Sequence, residues 1–289
     1  MSYNIIVLVK QVPDTKNISV DAMKPDGTVN RSALPTIFNP EDLNALEEAL
    51  RIKDKYGAKI TVLTMGPPNA ADVLRQSLFL GADDVILLSD RKFAAADTLA
   101  TSYALSLAIK KIGDFDLIIG GRQAIDGDTA QVGPQTAEKL NINQATCVDK
   151  IVNLSDGNIT VNRTTDHGFE TIKSKLPILL TITAEANTPR PFSVKKTLTY
   201  KNAISLIEQH DYDEKYLNSN DKNKPFIITN WDHEDIKAQT EKCGLLGSPT
   251  QVKKIENIVL EAGESKEIEN SDDGLRSLIV ELMSEHIIG

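Results

Sequence analysis

The stretch from residue 121 to residue 134 (GRQAIDGDTAQVGP) contains the residue types of a phosphate-binding loop, between an apolar strand and a helix. Gly120 and Gly121 end the strand, and glycine lets a backbone come close to a ligand because it has no side chain. The helix begins near Gln131, where free backbone N–H groups and the positive end of the helix dipole suit an anion. The side-chain amide of Gln131 adds a further donor. The stretch predicts a cradle for the phosphate of a nucleotide.

Two aspartates, Asp126 and Asp128, lie in the middle of this stretch. Their negative charge is wrong for contacts with a phosphate, but carboxylates can accept hydrogen bonds from ribose hydroxyls. An alternative interpretation is that they cap the following helix, and that residues 121–134 are only a well-capped connection between a strand and a helix. The residues alone allow both interpretations.

A second polar feature opens another helix, at residues 97–101 (DTLAT). Asp97 is a suitable N-cap for this helix. Thr98 and Thr101 are three residues apart, so their hydroxyls share one face of the helix. They are either ordinary polar residues of a first turn or two hydroxyls offered to a ligand at the edge of the sheet.

Familiar catalytic and metal-binding motifs are absent from the sequence. It contains no G-x-G-x-x-G, G-x-x-x-x-G-K-[ST], H-E-x-x-H or G-x-S-x-G pattern. The histidines are scattered, and the two cysteines, Cys147 and Cys243, have no metal-ligand spacing. We therefore predict no catalytic side chain and no metal site, which is typical of a protein whose chemistry belongs to a bound cofactor.

Alternating strands and helices position these loops in the first half of the chain. Apolar β-type runs predict strands at residues 4–9, 59–65, 85–88 and 117–119. Helical spacing predicts helices at residues 40–56, 70–80, 97–111 and 129–140, with Asn39 as the N-cap of the first. Strands that alternate with helices of this length indicate a parallel sheet with helices on its faces. Ligands of such sheets bind at the carboxyl ends of the strands, where both polar features lie.

The pattern changes beyond Cys147. Residues 151–154 and 158–163 flank a hairpin signal at residues 155–157, and two more strands are predicted at residues 169–173 and 178–183. The sheet therefore gains an antiparallel part. Residues 200–289 show no core of their own, although 273–288 have the pattern of an amphipathic helix. This tail needs another surface to lie on, either its own domain or a partner.

Charge and hydropathy exclude several classes of partner. The 289 residues carry a net charge of -9, whereas a protein that binds duplex nucleic acid needs a basic face. No apolar run reaches the length of a membrane span, and no targeting segment is recognisable. We predict a cytoplasmic protein that neither binds nucleic acid nor inserts into a membrane.

Six short motifs resemble, in order, those of the beta subunit of electron transfer flavoproteins, over most of the chain. They are residues 9–14 (VKQVPD), 39–42 (NPED), 65–67 (MGP), 121–134, 183–190 (TAEANTPR) and 244–252 (GLLGSPTQV). The resemblance implies a Rossmann-like α/β domain at residues 1–200. It also implies a C-terminal arm at residues 201–289 that packs on the alpha subunit of a heterodimer.

The nucleotide loop departs from that of ordinary family members, which hold AMP as a structural ligand. Arg122 stands where they have lysine, Gly127 where they have the middle of three aspartates, and Thr129-Ala130 where they have Cys-Asn. Gly127 removes a carboxylate and Ala130 removes a bulky amide. Both changes favour an extra phosphate and a longer ligand.

These departures resemble the electron-bifurcating members of the family, which hold FAD where the others hold AMP. Bifurcating members also have threonines near the flavin, at the positions of Thr98 and Thr101. One residue departs from the pattern: Thr164 follows Arg163, where many members carry a glutamate. The resemblance therefore implies FAD, with AMP as the alternative ligand.

The resemblance also implies a division of electrons between two routes. Hydride from NADH would reach this FAD, one electron would go to ferredoxin or flavodoxin, and the other would pass through the alpha-subunit FAD to a dehydrogenase. Acyl-CoA, enoyl-CoA and 2-hydroxy-acid (lactate-type) dehydrogenases all fit this role. Val194 occupies the position of the family's hydrophobic anchor for that dehydrogenase, although it can also be an ordinary apolar loop residue.

The resemblance assigns the two halves of the cofactor to different loops. The adenine-nucleotide half would lie against Leu8, Asn39, Asp42, Met65 and the loop 121–134, and the isoalloxazine would extend toward residues 11–14 and the two threonines. The predicted cofactor-binding residues are Leu8, Lys10, Gln11, Val12, Pro13, Asp14, Asn39, Pro40, Asp42, Met65, Gly66, Thr98, Thr101, Gly120, Gly121, Arg122, Gln123, Ala124, Asp126, Gly127, Asp128, Thr129, Ala130, Gln131, Val132 and Gly133.

Two rival hypotheses accompany this prediction. The first is a non-bifurcating beta subunit of the same family that holds structural AMP. The second, from another class, is a stand-alone nucleotide-binding stress or signalling protein with a similar sheet. Such a protein would be a stable homodimer without flavin and would need no alpha subunit.

Overall fold

The structure is a computed structural model that describes residues 2–14, 35–208, 226–250, 266–285 and 287. Contacts within the chain divide it into one compact unit up to Gln251 and a second, smaller unit from Val252 to Gly289. No helix among the described residues is both long enough and apolar enough to cross a membrane.

The first unit is built on one large sheet. The strands, numbered along the chain, are β1 (Tyr3–Leu8), β2 (Gln11–Pro13), β3 (Thr36–Phe38), β4 (Ala58–Met65), β5 (Asp84–Leu88), β6 (Leu117–Gly121), β7 (Asn143–Ser155), β8 (Asn158–Thr165), β9 (Gly168–Lys175), β10 (Ile178–Ile182) and β11 (Thr229–Trp231). Over the described residues the large sheet has the order β11-β5-β4-β1-β6-β10-β7-β8-β9, and β2 pairs with β3 separately. Neighbours from β11 to β7 are parallel, whereas β7, β8 and β9 are antiparallel.

Helices cover both faces of this sheet. The helices are α1 (Pro40–Tyr56), α2 (Ala71–Leu80), α3 (Thr98–Ile112), α4 (Val132–Leu140), α5 (Val194–Tyr200) and, in the second unit, α6 (Asp272–Ser284). Val7 packs in the same core as Leu46 of α1, and Ile6 in the opposite core with Ala104 of α3. Adjacent residues of β1 thus point to opposite faces, as in a strand that is buried on both sides. The predicted α/β fold, a mostly parallel sheet with helices on both faces and an antiparallel part, is confirmed.

The helix after the nucleotide loop begins later than the predicted residue 129. The backbone φ angles are +47° at Asp128 and +52° at Ala130, so these residues are left-handed and cannot belong to a right-handed helix. Helix α4 therefore starts at Val132. The residues between the strand and the helix form a loop with a hydrogen-bonded turn at residues 125–127, not a first turn of α4.

Some elements are missed, or predicted too short, from the sequence. Strand β7 begins at Asn143, well before the predicted residue 151. The sequence misses its first half because a bulge, where Cys147 has a φ of +56°, interrupts the alternation of its side chains. The short helix α5 lies where no regular structure is predicted. Strands β2 and β3 have three residues each, too few for a periodic signal.

Residues 203–208 and 226–250 belong to the first unit and pack within it. Ile204, Ile228 and Ile236 are buried, and β11 extends the large sheet by pairing with β5. In the second unit, α6 exposes about half the area of its apolar residues Leu275 and Ile279 (51 % each). The arm predicted at residues 201–289, with an alpha subunit beneath it, stays a prediction.

Candidate functional site

The candidate site lies at one edge of the sheet. Strands β1, β4, β5 and β6 are parallel, so the loops that follow them all leave the sheet at the same edge. These loops contain residues 9–14, 66–70, 89–97 and 122–131. The structure therefore brings the two polar features of the sequence, residues 97–101 and 121–134, to the edge at which α/β sheets bind ligands.

The first turn of α1 joins two of these loops. The Oδ2 atom of Asp42 accepts a hydrogen bond from the backbone N–H of Lys10 at 2.8 Å, and its Oδ1 atom accepts from the N–H of Gly121 at 3.0 Å. A Cβ atom on Gly121 would lie 2.7 Å from the backbone nitrogen of Asp42. Glycine is therefore required at residue 121 by the close approach of α1, a reason that lies within the protein.

Asn39 does not cap α1 in the way the sequence predicts. Its side chain makes no capping hydrogen bond. Its Nδ2 atom donates to the carbonyl of Gln123 at 2.8 Å, and its Oδ1 atom accepts from the N–H of Ile125 at 3.2 Å. The amide bonds to the β6–α4 loop because that loop passes directly over the start of α1, and it also donates to the carboxylate of Asp42. Asn39 thus holds the loop in place.

Charged pairs fix the same loop from both sides. Glu41 accepts from the N–H of Gln123 at 2.9 Å and pairs with the guanidinium of Arg122 at 2.9 Å. The ammonium of Lys10 pairs with Asp126 at 2.7 Å. Sequence reasoning missed the role of Glu41, which is visible only once α1 and the loop are adjacent.

The loop retains donors that suit an anion. The Nε–H of Arg122 is buried without a partner among the described residues. Gln131 precedes α4 and makes no side-chain cap, so the N–H groups of Val132 and Gly133 at the start of α4 have no partner within the helix. An uncapped helix start of this kind, beside a left-handed loop residue, is a site where backbone N–H groups converge on a phosphate.

Two glycines of the loop serve different purposes. A Cβ atom on Gly133 would lie 2.7 Å from Cγ2 of Thr181, so this glycine allows α4 to pack closely on β10. No protein atom lies within 4 Å of a Cβ placed on Gly127. Packing within the chain therefore explains Gly133 but leaves the space beside the exposed Gly127 open.

Helix α3 begins as predicted, with Asp97 as its N-cap. The Oδ1 atom of Asp97 accepts from the N–H groups of Leu99 and Ala100 at 2.9 and 3.0 Å, and its Oδ2 atom accepts from the N–H of Thr250 at 3.1 Å. Partial burial acts to raise the pKa of Asp97, but these hydrogen bonds outweigh it and lower the pKa. A capped, anionic helix start disfavours a phosphate, whereas the start of α4 has no side-chain cap.

The two polar features meet through Thr98. Its hydroxyl donates to Oε1 of Gln131 at 2.9 Å and accepts from Nε2 of Gln135 at 3.3 Å. Sequence reasoning places Thr98 and Gln131 in separate motifs and omits Gln135. It also omits Ser248, whose hydroxyl accepts from the N–H of Asp97 at 2.8 Å.

The predicted cofactor-binding residues differ widely in exposure. Those whose side chains or backbone are buried are Leu8, Val12, Asp14, Asn39, Asp42 and Gly120. Half-buried are Gln11, Pro13, Met65, Gly66, Thr98, Thr101, Gly121, Arg122, Gln123, Ala124, Ala130, Val132 and Gly133. Exposed are Lys10, Pro40, Asp126, Gly127, Asp128, Thr129 and Gln131. Contact with a cofactor stays a prediction for all of them.

A separate set of contacts fixes residues 187–190 on α1. Arg190 pairs through its Nε atom with Glu47 at 2.8 Å and through Nη2 with Asp54 at 2.9 Å. Asn187 accepts at its backbone oxygen from Nδ2 of Asn44 at 2.7 Å. Val194 follows on α5 and is 75 % exposed. The segment is held firmly at one end and presents an apolar side chain at the other.

Cysteine, histidine and carboxylate side chains do not form a metal centre in the described part of the chain, where no three of them cluster.

A parallel sheet, helices on both faces and a loop cluster at the carboxyl edge define an α/β protein of the nucleotide-holding kind. Comparison with known proteins identifies the particular family.

The family model described as the electron transfer flavoprotein domain matches residues 26–209. The chain is 44 % identical over 251 residues to the electron transfer flavoprotein subunit beta of Clostridium acetobutylicum, covering 87 % of this chain and 86 % of that one. It is 45 % identical over 249 residues to subunit CarD of the caffeyl-CoA reductase–Etf complex of Acetobacterium woodii, covering 86 % and 85 %. It is 41 % identical over 259 residues to protein FixA of Azorhizobium caulinodans, covering 87 % and 83 %.

The chain belongs to the electron transfer flavoprotein family, among the relatives of its beta subunits. Membership implies electron transfer, pairing with an alpha subunit, and a flavin or other nucleotide as cofactor. The residues at the sheet edge fit such a group, since an orphaned guanidinium N–H, an uncapped helix start and an open space beside Gly127 lie on one loop.

Proposed function

We propose that this chain is the beta subunit of an electron-bifurcating electron transfer flavoprotein and that it holds FAD, rather than AMP, at the carboxyl edge of its sheet. The observation that carries the proposal is the open space at Gly127, next to the uncapped start of α4. A carboxylate at residue 127 would crowd and repel a second phosphate. The glycine admits a diphosphate instead.

The side chains around this space have distinct tasks. The free N–H groups at the start of α4 and the Nε–H of Arg122 would donate to the phosphates. Asp126 is restrained by Lys10, so its carboxylate is available at a fixed place for a ribose hydroxyl. Thr98, whose hydroxyl bonds to Gln131, would face the isoalloxazine and supply a dipole that tunes its potential.

FAD at this place would supply the redox chemistry, accepting hydride from NADH and passing electrons to ferredoxin or flavodoxin and, through the alpha-subunit FAD, to a dehydrogenase. No protein group has to act as a general acid or base for hydride transfer. One relative, CarD, is named as a subunit of a complex between a reductase and an Etf. This supports, for the present chain, a partner dehydrogenase of the acyl-CoA, enoyl-CoA or lactate type.

Docking of that dehydrogenase is assigned to the segment around Val194. Arg190 anchors the segment to α1, and Phe192 and Val194 are 50 % and 75 % exposed beyond it. An anchored segment with exposed apolar side chains is suited to insertion into a partner surface. Residues 201–289 would form the arm that packs on the alpha subunit, and the half-exposed apolar side of α6 supports this.

The experiment is a nucleotide count on the purified heterodimer. The chain is produced with its alpha subunit, the complex is denatured, and the released nucleotides are separated and quantified. Two FAD and no AMP per heterodimer are expected. One FAD and one AMP would overturn the bifurcating assignment and favour a non-bifurcating beta subunit that holds structural AMP. A flavin-free homodimer that does not bind an alpha subunit would favour the stand-alone signalling protein.

A further inference from the structure

Asp42 continues the connection between two strands beyond the point where their ladder ends. Strands β1 and β6 are paired as far as Leu8 and Gly120. One step further, the two oxygens of Asp42 accept from the N–H groups of Lys10 and Gly121, at 2.8 and 3.0 Å. The carboxylate thus bridges the starts of two separating loops.

In the described part of the chain no salt bridge joins this carboxylate to a cation, although the charge of Lys10 acts to lower its pKa. The ammonium of Lys10 pairs with Asp126, and the guanidinium of Arg122 pairs with Glu41, the neighbour of Asp42 on α1. These are the charged groups that face Asp42 from the β1–β2 loop, the β6–α4 loop and α1. Asp42 is itself only 7 % exposed. Its charge is therefore stabilised chiefly by neutral donors, the backbone N–H groups of Lys10 and Gly121 and the side-chain amide of Asn39.

We propose that Asp42 is a positioning residue for the nucleotide: its carboxylate holds the Lys10 and Gly121 loops at the separation that the ligand requires, and protonation releases them. The inference rests on the proposed function, because it assumes that the nucleotide lies on these loops. A protonated carboxyl presents an O–H donor toward an N–H donor, so one of the two bonds is lost.

The direction of the pH dependence follows from burial. Burial raises the pKa of Asp42 to about 7, although hydrogen bonds from Gly121, the Asn39 side chain and Lys10 act to lower it. An ordinary aspartate has a pKa of about 3.9, so between these two values the folded protein binds a proton that the unfolded chain does not. The stability contributed by this group is present below the lower value and is lost as the pH rises toward 7.

Retention of the nucleotide has the opposite pH dependence. Only the ionised carboxylate accepts both N–H groups, so the nucleotide is held more tightly as the pH rises through 7. General loosening of the protein in acid would lower stability and retention together. Opposite signs for the two quantities therefore distinguish Asp42 from a purely structural carboxylate.

The test follows release of the bound nucleotide from the purified heterodimer. Between about pH 8 and about pH 6, the release rate of the unmodified protein is expected to increase about tenfold, the change in the ionised fraction of a group that titrates midway. Asp42→Asn should release the nucleotide rapidly at both pH values. Glu48→Gln is the matched control, because burial also raises the pKa of Glu48 on α1 but its hydrogen-bond partner is Asn187; its release profile should match that of the unmodified protein.

Amide hydrogen exchange gives a second measurement that needs no variant. After correction for intrinsic chemistry, protection of the N–H group whose bond is lost, that of Lys10 or that of Gly121, should fall as the pH is lowered through 7. Release or protection that does not change with pH would overturn the inference, as would an unchanged profile in Asp42→Asn. AMP in place of FAD would overturn the proposed function, and release of that AMP would still decide the role of Asp42.

Discussion

The hydroxyl of Thr98 donates to Oε1 of Gln131 across 2.9 Å, and this bond connects the starts of α3 and α4. The two helix starts differ in charge, because the carboxylate of Asp97 caps α3 whereas α4 has no side-chain cap. The pair therefore lies between an anionic and an electropositive helix start. The reduction potential of a flavin ring placed against this pair would depend on the charge of both helix starts.

Replacing Thr98 with valine tests this arrangement. Thr98→Val keeps the shape of the side chain but removes the hydrogen bonds to Gln131 and Gln135. We expect a shift in the absorption spectrum and reduction potential of the flavin in this subunit. The free energy of unfolding should change by about 1 to 2 kcal/mol, the typical contribution of two partly exposed hydrogen bonds.

Ser106→Ala is the control for Thr98→Val, since it removes a hydroxyl from the same helix. The hydroxyl of Ser106 donates only to the carbonyl of Tyr103, one turn earlier in α3. Its flavin spectrum should be that of the unmodified protein. A melting-temperature change in Thr98→Val without any spectral change would show that Thr98 is only a first-turn residue of α3.

A substitution at Gly127 tests where the diphosphate of the ligand lies without disturbing the packing of the protein. Gly127→Asp places a carboxylate where no protein atom lies within 4 Å of the new Cβ, and the residue is exposed. The stability of the nucleotide-free protein should therefore change by less than about 0.5 kcal/mol. The FAD content of the subunit should fall, because the new charge repels the diphosphate. Flavin counting after denaturation measures this.

Gly127→Asn separates repulsion from crowding. Asparagine has nearly the same shape as aspartate but no charge, so it should retain more FAD than Gly127→Asp does. Equal losses would attribute the effect to crowding alone. Full flavin occupancy in Gly127→Asp would contradict the placement of the diphosphate beside this residue.

Much of the fold can be predicted because its signals are local. A continuous apolar run, IIVL, predicts the buried strand β1. Helical spacing of apolar residues predicts the buried side of α1, at Leu46, Ala49 and Leu50. Strand β7 is predicted too short because its bulge at Cys147 breaks the two-residue alternation. A search for regular alternation cannot detect this bulge, because the bulge depends on the pairing of β7 with β10.

The candidate site is predictable in its location but less so in the roles of its residues. The loop 121–134 is recognisable from composition, whereas Asn39 has the residue type of an N-cap and instead holds the carbonyl of Gln123. Glu41 and Thr250 give no local signal for their contacts with Gln123 and Asp97, from which they are distant in sequence. Such contacts depend on which loops meet at the sheet edge.

The neighbouring glycines at the end of β6 can be distinguished by alanine substitution. A Cβ on Gly121 would lie 2.7 Å from the backbone nitrogen of Asp42, whereas one on Gly120 would lie 3.6 Å from Cβ of Leu8, an ordinary contact. We expect Gly121→Ala to destabilise the protein by about 1 to 3 kcal/mol, because the start of α1 must move. Thermal or chemical unfolding of the two variants, side by side, measures the difference.

Gly120→Ala serves as the control for Gly121→Ala and also tests the ligand. Its stability should be close to that of the unmodified protein. If the nucleotide approaches this backbone, its FAD content should nevertheless fall. Equal stability of both variants would contradict the tight approach of α1 to residue 121.

Glu47 holds the segment assigned to docking. Its side chain is 6 % exposed and accepts from the backbone N–H, Nε and Nη2 of Arg190. Glu47→Gln removes the charge that pairs with the guanidinium, at a cost of about 1 to 2 kcal/mol. We expect faster proteolysis around residues 187–200 and slower electron transfer to the dehydrogenase. Nucleotide content should stay unchanged, because the loops at the sheet edge contact other residues of α1.

Asp54→Asn is the matched control for Glu47→Gln, since Asp54 pairs with the same guanidinium but is 63 % exposed. An exposed ion pair contributes about 0 to 1 kcal/mol, so proteolysis and electron transfer should change little. If Asp54→Asn impaired transfer as much as Glu47→Gln, the buried contact would not be what positions the segment. If Glu47→Gln accelerated proteolysis but left transfer intact, the dehydrogenase would dock elsewhere.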